Sequence, residues 1–101
     1  MKIFHKIPKI DVYITNAREL GQFVNQHFKR DIDFEVWNGD DGSVATLVEV
    51  KFPIYDYSEK TLEDLKTEDK FILDLGSITD ILYYFAEEKI IEEGYYVIHG
   101  D

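Results

Sequence analysis

Cysteine is absent from all 101 residues. That absence excludes a disulfide framework, a thiolate zinc site and a cysteine nucleophile. Proline occurs twice and glycine six times, too seldom for a linker-like or low-complexity chain. No apolar run approaches the roughly 20 residues of a membrane-spanning helix. The stretch "MKIFHKIPKIDVYI" has lysines but no unbroken apolar core and no small-residue cleavage site. It reads as mature sequence, not as a secretory leader, and a cytoplasmic location is expected. There is no Gly-rich phosphate loop, no G-x-S-x-G elbow and no nucleophile beside a base. No catalytic residue, cofactor or metal ligand is assigned, and the chain is not read as an enzyme.

Apolar residues are plentiful, at 45 %, and they include seven Phe, seven Tyr and one Trp. Large aromatics bury much area each, so one core forms without disulfides or metal. Residues 1–101 are read as a single domain.

The charge is lopsided. The net charge is −10. Residues 1–30 carry six Lys/Arg and two acids, whereas residues 31–101 carry five lysines and nineteen acids. A surface so negative repels nucleic acid, whose phosphates need cations. It also speeds encounter with a positive partner, and it aids solubility whatever the partner.

Several elements follow from periodicity. "KIDVYITN" alternates Ile10, Val12 and Ile14 with Asp11 and Tyr13, a half-buried strand with the isoleucines inward. Ile3, Ile7 and Pro8 before it suggest an edge segment. "NARELGQFVNQHFKR" predicts a helix over about 17–29, with Asn16 as N-cap, Glu19 at the capping-box spacing and Leu20, Phe23, Val24, His27 and Phe28 on one stripe. "DIDFEVWNGDDGSVATLVEVKFPIY" reads as a β-hairpin turning at "NGDDGS", with Val44, Thr46, Val48, Val50 and Phe52 on one face of the return strand. Ser58 or Thr61 can cap a short helix with Leu62 and Leu65 inward, a stripe so thin that the segment reads as either a surface helix or an ordered loop, and "KFILDL" follows as a strand. A second main helix is expected to start at Gly76–Ser77, with Asp80 near its N-terminus, and to run through "EEKIIEEG" to a stop at Gly94. "YYVIHGD" closes the chain as a strand. The order β-α-β-β-(α)-β-α-β predicts an α+β fold: a single, mainly antiparallel sheet with two main helices packed on one face.

His5, His27 and His99 are scattered, without ligand spacing. His27 falls on the apolar stripe of its helix and reads as a core or boundary residue. His99 is placed near Asp101. A calcium loop starting at Asn38 would align Asp40 and Glu49, but Gly42 and Ser43 occupy positions five and six, so a plain turn is the better reading. Carboxylate pairs are too numerous for any one of them to mark a catalytic cleft.

What does stand out is "YDYSEKTLEDLKTEDKF" at 55–71, with six acids and three lysines, and "LYYFAEEKIIEEG" at 82–94. Tyr83 and Tyr84 are neighbours on a helix, and Tyr95 and Tyr96 alternate on a strand, so one of each pair is expected outward. Exposed tyrosines beside carboxylates suit a protein interface. The candidate partner-binding residues are Asp56, Tyr57, Glu59, Glu63, Asp64, Glu68, Asp69, Tyr84, Glu87 and Glu88.

In size, acidity, aromatic content and want of catalytic motifs, the chain resembles the small immunity proteins of bacterial toxin systems. These include contact-dependent growth inhibition immunity proteins and barstar-type nuclease inhibitors. The resemblance lies in overall character across the chain and carries no family residues with it. It implies a cytoplasmic antitoxin that binds a basic cognate toxin, often a nuclease, without contacting nucleic acid or membrane. The alternative is a non-catalytic interaction module or accessory subunit whose acidity is incidental. A small-ligand site or an enzyme would instead gather His27 or His99 with carboxylates in a pocket.

Overall fold

The computed structural model describes residues 3–36 and 45–100. The elements run β1 (His5–Lys6), β2 (Val12–Asn16), α1 (Ala17–Phe28), β3 (Asp33–Val36), β4 (Ala45–Val50), α2 (Glu59–Thr67), β5 (Lys70–Leu73), α3 (Leu75–Glu87) and β6 (Gly94–His99). The fold is α+β, as the sequence predicts.

The strand pairing differs from the expected single sheet. One sheet has the order β1-β2-β6-β4, and β3 pairs with β5 in a second sheet of two strands. The larger sheet is mixed: β6 lies parallel to β2 and antiparallel to β4. β3 and β5 are parallel. Among the described residues β3 and β4 are therefore not paired as the expected hairpin, and its "NGDDGS" turn lies outside them. Side-chain complementarity explains the exchange of partners. β3 sets Asp33 opposite Lys70 and Phe34 opposite Phe71, whose rings meet edge-on at 5.8 Å. Such cross-strand pairs are the unit of sheet stability. β6, with Tyr96 and Ile98 almost wholly buried, takes the centre between β2 and β4.

One face of the larger sheet is covered. Tyr13, Thr15, Val48, Val50, Tyr96 and Ile98 are buried on it. On the opposite face Val12, Ile14 and Val97 are half-buried, and Leu47 and Tyr95 are exposed. The phase of β2 is thus the reverse of the expected one, and Ile10 is exposed. The cause is aromatic. Tyr13 stacks on Tyr96 at 4.7 Å and 8°, and its hydroxyl donates to Glu92 at 2.9 Å. A buried tyrosine with a partner for its hydroxyl outweighs an isoleucine in that position.

α1 forms as its sequence predicts. The Asn16 side chain accepts from the Glu19 N–H at 2.8 Å, and Ala17, Leu20, Gly21 and Val24 make its buried stripe. The helix ends at Lys29, in the left-handed region at φ 57°. His27 is exposed, not in the core.

α3 departs from expectation at both ends. Its cap is Asp74, whose side chain accepts from the Ser77 N–H at 2.8 Å. Gly76 lies inside the first turn, and Asp80 sits a turn further on. The helix stops at Glu87, well before Gly94. Lys89 takes φ 60°, its N–H donates to Ala86 O at 2.9 Å, and the Ile90 N–H donates to Phe85 O at 2.8 Å. These two bonds close the helix and turn the buried Ile91 back to the core. Gly94 instead opens β6.

Candidate functional site

α2 is a short helix with one fully buried residue, Leu65. So thin a stripe does not hold a helix by itself. Polar contacts with α3 hold its first turn. The Ser58 side chain makes no capping bond. Instead Asp80 of α3 accepts from the Ser58 N–H at 3.3 Å and from the Thr61 hydroxyl at 2.7 Å. A carboxylate at this end also meets the positive pole of the helix dipole.

That docking sets Tyr57 against the C-terminal turns of α3. Its hydroxyl donates to Glu87 at 2.8 Å, and its ring meets Tyr84 edge-on at 6.4 Å. Tyr84 in turn stacks on Phe28 of α1 at 5.7 Å and 22°. The Tyr84 hydroxyl is hydrogen-bonded to His27 Nε2 at 2.9 Å. Tyr57, Tyr84, His27 and Phe28 thus form one aromatic ridge across three segments, edged by Glu87 and Glu88.

The ridge lies in a negative field. Burial, the bond to Glu87 and the charges of Glu87 and Glu88 push the Tyr57 hydroxyl up to about 12. Burial and the Glu88 charge raise Tyr84. Both hydroxyls stay protonated near neutral pH and remain hydrogen-bond donors. Nearby cations are turned away: Lys60 pairs with Asp64 at 3.2 Å, and the Lys89 ammonium lies 5.9 Å over the Phe52 ring. Among the described residues, Asp56, Glu59, Glu87 and Glu88 are in no ion pair.

The ten candidate residues fall into two groups. Tyr57, Tyr84, Glu87 and Glu88 are brought together at the ridge, and Asp56 and Glu59, one and two residues from Tyr57 in the chain, are exposed. Glu63 and Asp64 lie on α2, whose nine residues span roughly 13 Å, and Glu68 and Asp69 follow just past its end. Glu63 is exposed, and Asp64 is taken up by Lys60. At the far end Arg30 donates to Leu65 O at 3.0 Å, to Glu68 O at 2.8 Å and to the Asp69 carboxylate at 3.3 Å. Those contacts anchor the end of α2 to α1.

Sequence reasoning missed two members of the site. Asp80 was expected to serve the N-terminus of its own helix, but it serves that of α2. Its partner Thr61 lies 19 residues away, and no local pattern signals such a pairing. His27 was read as a core or boundary residue with no part in the site, and it stands at the exposed edge of the ridge.

Among the described residues, no group of three or more His, Asp or Glu side chains is placed to hold a metal ion. The calcium-like stretch at 38–49 lies largely outside the described residues. None of the helices among the described residues is long and apolar enough to cross a membrane. Comparison with family models, with curated proteins and with solved structures returns no match.

Proposed function

We propose that this chain is a non-catalytic binding protein that neutralises a basic partner through the Tyr57–Tyr84–Glu87–Glu88 ridge. On this reading it acts in the bacterial cytoplasm as an immunity protein, and the partner is a cognate toxin, most simply a nuclease. The carrying observation is the convergence of two tyrosines and unpaired carboxylates from separate segments, locked by the Tyr57–Glu87 bond.

Physical chemistry supports the reading in three ways. A nuclease must present lysines and arginines to phosphates, and carboxylates can occupy the same places. A cation 4 Å from a carboxylate gains about 1 kcal/mol in water and about 4 kcal/mol at the effective dielectric of a protein surface, so several pairs around a partly dry centre matter. The ridge supplies that centre. Tyrosine rings exclude water over a large area at low entropic cost, and their hydroxyls add directed bonds.

The test is co-expression. A cationic toxin encoded beside this chain is expected to kill cells alone and to be tolerated with the wild-type chain. Glu87→Lys with Glu88→Lys is expected to abolish protection while the variant still folds. Full protection by that folded variant rules the ridge out. The incidental-acidity alternative predicts that no charge reversal on the protein alters its binding.

A further inference from the structure

A second feature involves no residue of α2. A cleft of about 610 Å³ opens between the N-terminal arm, β2, α1 and the loop that joins α3 to β6. This is within the roughly 300–1,000 Å³ of small-molecule sites. Its walls include Phe4, Phe23, Ile91 and Tyr96. Phe4 stands edge-on to Tyr96 at 5.2 Å and to Phe23 at 6.4 Å, so the walls are built of ring faces and edges.

The two phenols and the carboxylate of the cleft share one property. The Tyr13 hydroxyl donates its proton to Glu92 Oε2 at 2.9 Å. The Tyr96 hydroxyl donates its proton to the Glu92 backbone carbonyl at 2.7 Å. Both phenols have spent their donors and keep only acceptor lone pairs. Glu92 Oε1 is a further acceptor. Lys6 lines the same cleft, but its ammonium is paired with Asp11 at 3.4 Å. His5 lines it as well, and the Glu92 carboxylate is in no ion pair among the described residues.

We propose that this cleft binds a small primary amine carried on a flat apolar body, an aryl-alkylammonium. Its three N–H donors match an acceptor-rich wall, its positive charge answers Glu92, and its ring packs among Phe4, Phe23 and Tyr96. The Lys6 ammonium already lies 5.9 Å over the Tyr13 ring, an internal example of a cation resting on a ring that lines the cleft. A carboxylate ligand would face the lone pairs of both phenols and the Glu92 carboxylate. The proposal does not depend on the toxin-neutralising role.

The experiment is an amide and aromatic NMR titration of the full chain with three isosteres: phenethylammonium, phenethyl alcohol and phenylacetate. Phenethylammonium is expected to give saturable shifts at Phe4, Phe23, Ile91 and Tyr96. The alcohol is expected to bind about ten-fold more weakly, and phenylacetate not to saturate. Glu92→Gln keeps an acceptor for Tyr13 and removes the charge, and it should weaken phenethylammonium about ten-fold. No saturable shift, equal affinity for amine and alcohol, or shifts elsewhere on the protein overturns the proposal. The three wild-type titrations decide the matter even where the variant does not fold.

Discussion

The Tyr57 hydroxyl and the Glu87 carboxylate, 30 residues apart in sequence, meet at 2.8 Å and join the segment before α2 to the last turn of α3. Removing the hydroxyl tests this link. Tyr57→Phe is expected to lower stability by only about 0.5–1 kcal/mol, because the bond is exposed to water. Its spectroscopic effect should be clearer. The Tyr57 hydroxyl is pushed up to about 12, so ultraviolet titration of the variant should lose one late-ionising tyrosine. A loss from the early phase contradicts the geometry.

Alkaline pH should weaken the fold. Tyr13 and Tyr57 are each raised to about 12 from 10.0, and burial raises Tyr96 as well. The folded chain then holds protons that the unfolded chain releases. Stability from these groups is fully present below pH 10 and falls as pH rises towards about 12. Urea midpoints measured across that window should decline steadily, and Tyr57→Phe should flatten the decline. A midpoint independent of pH there contradicts the burial of these tyrosines.

Gly94 is expected to be intolerant. It sits at φ +152°, and an added Cβ would lie 2.8 Å from the Asp11 carbonyl oxygen and 2.8 Å from the Tyr13 ring. The carbonyl cannot yield, because it accepts from the Tyr95 N–H at 2.9 Å. Gly94→Ala should cost about 1–3 kcal/mol in chemical denaturation. Gly21→Ala should cost less: its Cβ would meet the half-buried Phe34 ring at 2.8 Å, but the helix gains about 1 kcal/mol from alanine.

Thr15 offers a gain. It is 5 % exposed, and its hydroxyl has no hydrogen-bond partner among the described residues. Thr15→Val keeps the shape and removes an unpaired dipole, so stability should rise by about 1 kcal/mol. A loss on thermal melting would point to a bridging water.

The sequence spoke clearly where structure is local. α1 was legible from Asn16 to Lys29 because its cap and its stripe lie within one short stretch. The α+β class and the outward turn of one of Tyr95 and Tyr96 followed from equally short-range patterns. Strand pairing was not legible, since nothing within "DIDFEV" points to "KFIL" as its partner, and a turn-rich "NGDDGS" suggested the nearer strand. The face of β2 was misjudged because period-two alternation fixes which residues share a face and not which face is buried. At α3, Gly76 and Gly94 drew the boundaries in sequence, whereas an aspartate cap and a left-handed lysine draw them in the structure. The candidate site was legible as an accumulation of acids and tyrosines. Its division was not, because Arg30 takes up Asp69 from 39 residues away; only the Lys60–Asp64 pair, four residues apart on α2, is a local contact.

The most direct test of the central claim is the salt dependence of binding to the purified cationic partner. Wild type is compared with Glu87→Lys/Glu88→Lys and with Glu63→Lys, which carries an exposed charge away from the ridge. The account predicts that wild-type affinity falls steeply as salt rises to about 0.5 M, where charges more than a few ångströms apart are screened. It predicts that the ridge variant loses at least about ten-fold in affinity, and most of the salt dependence, while Glu63→Lys stays close to wild type. A salt-indifferent affinity, or a ridge variant that binds as well as wild type, contradicts it.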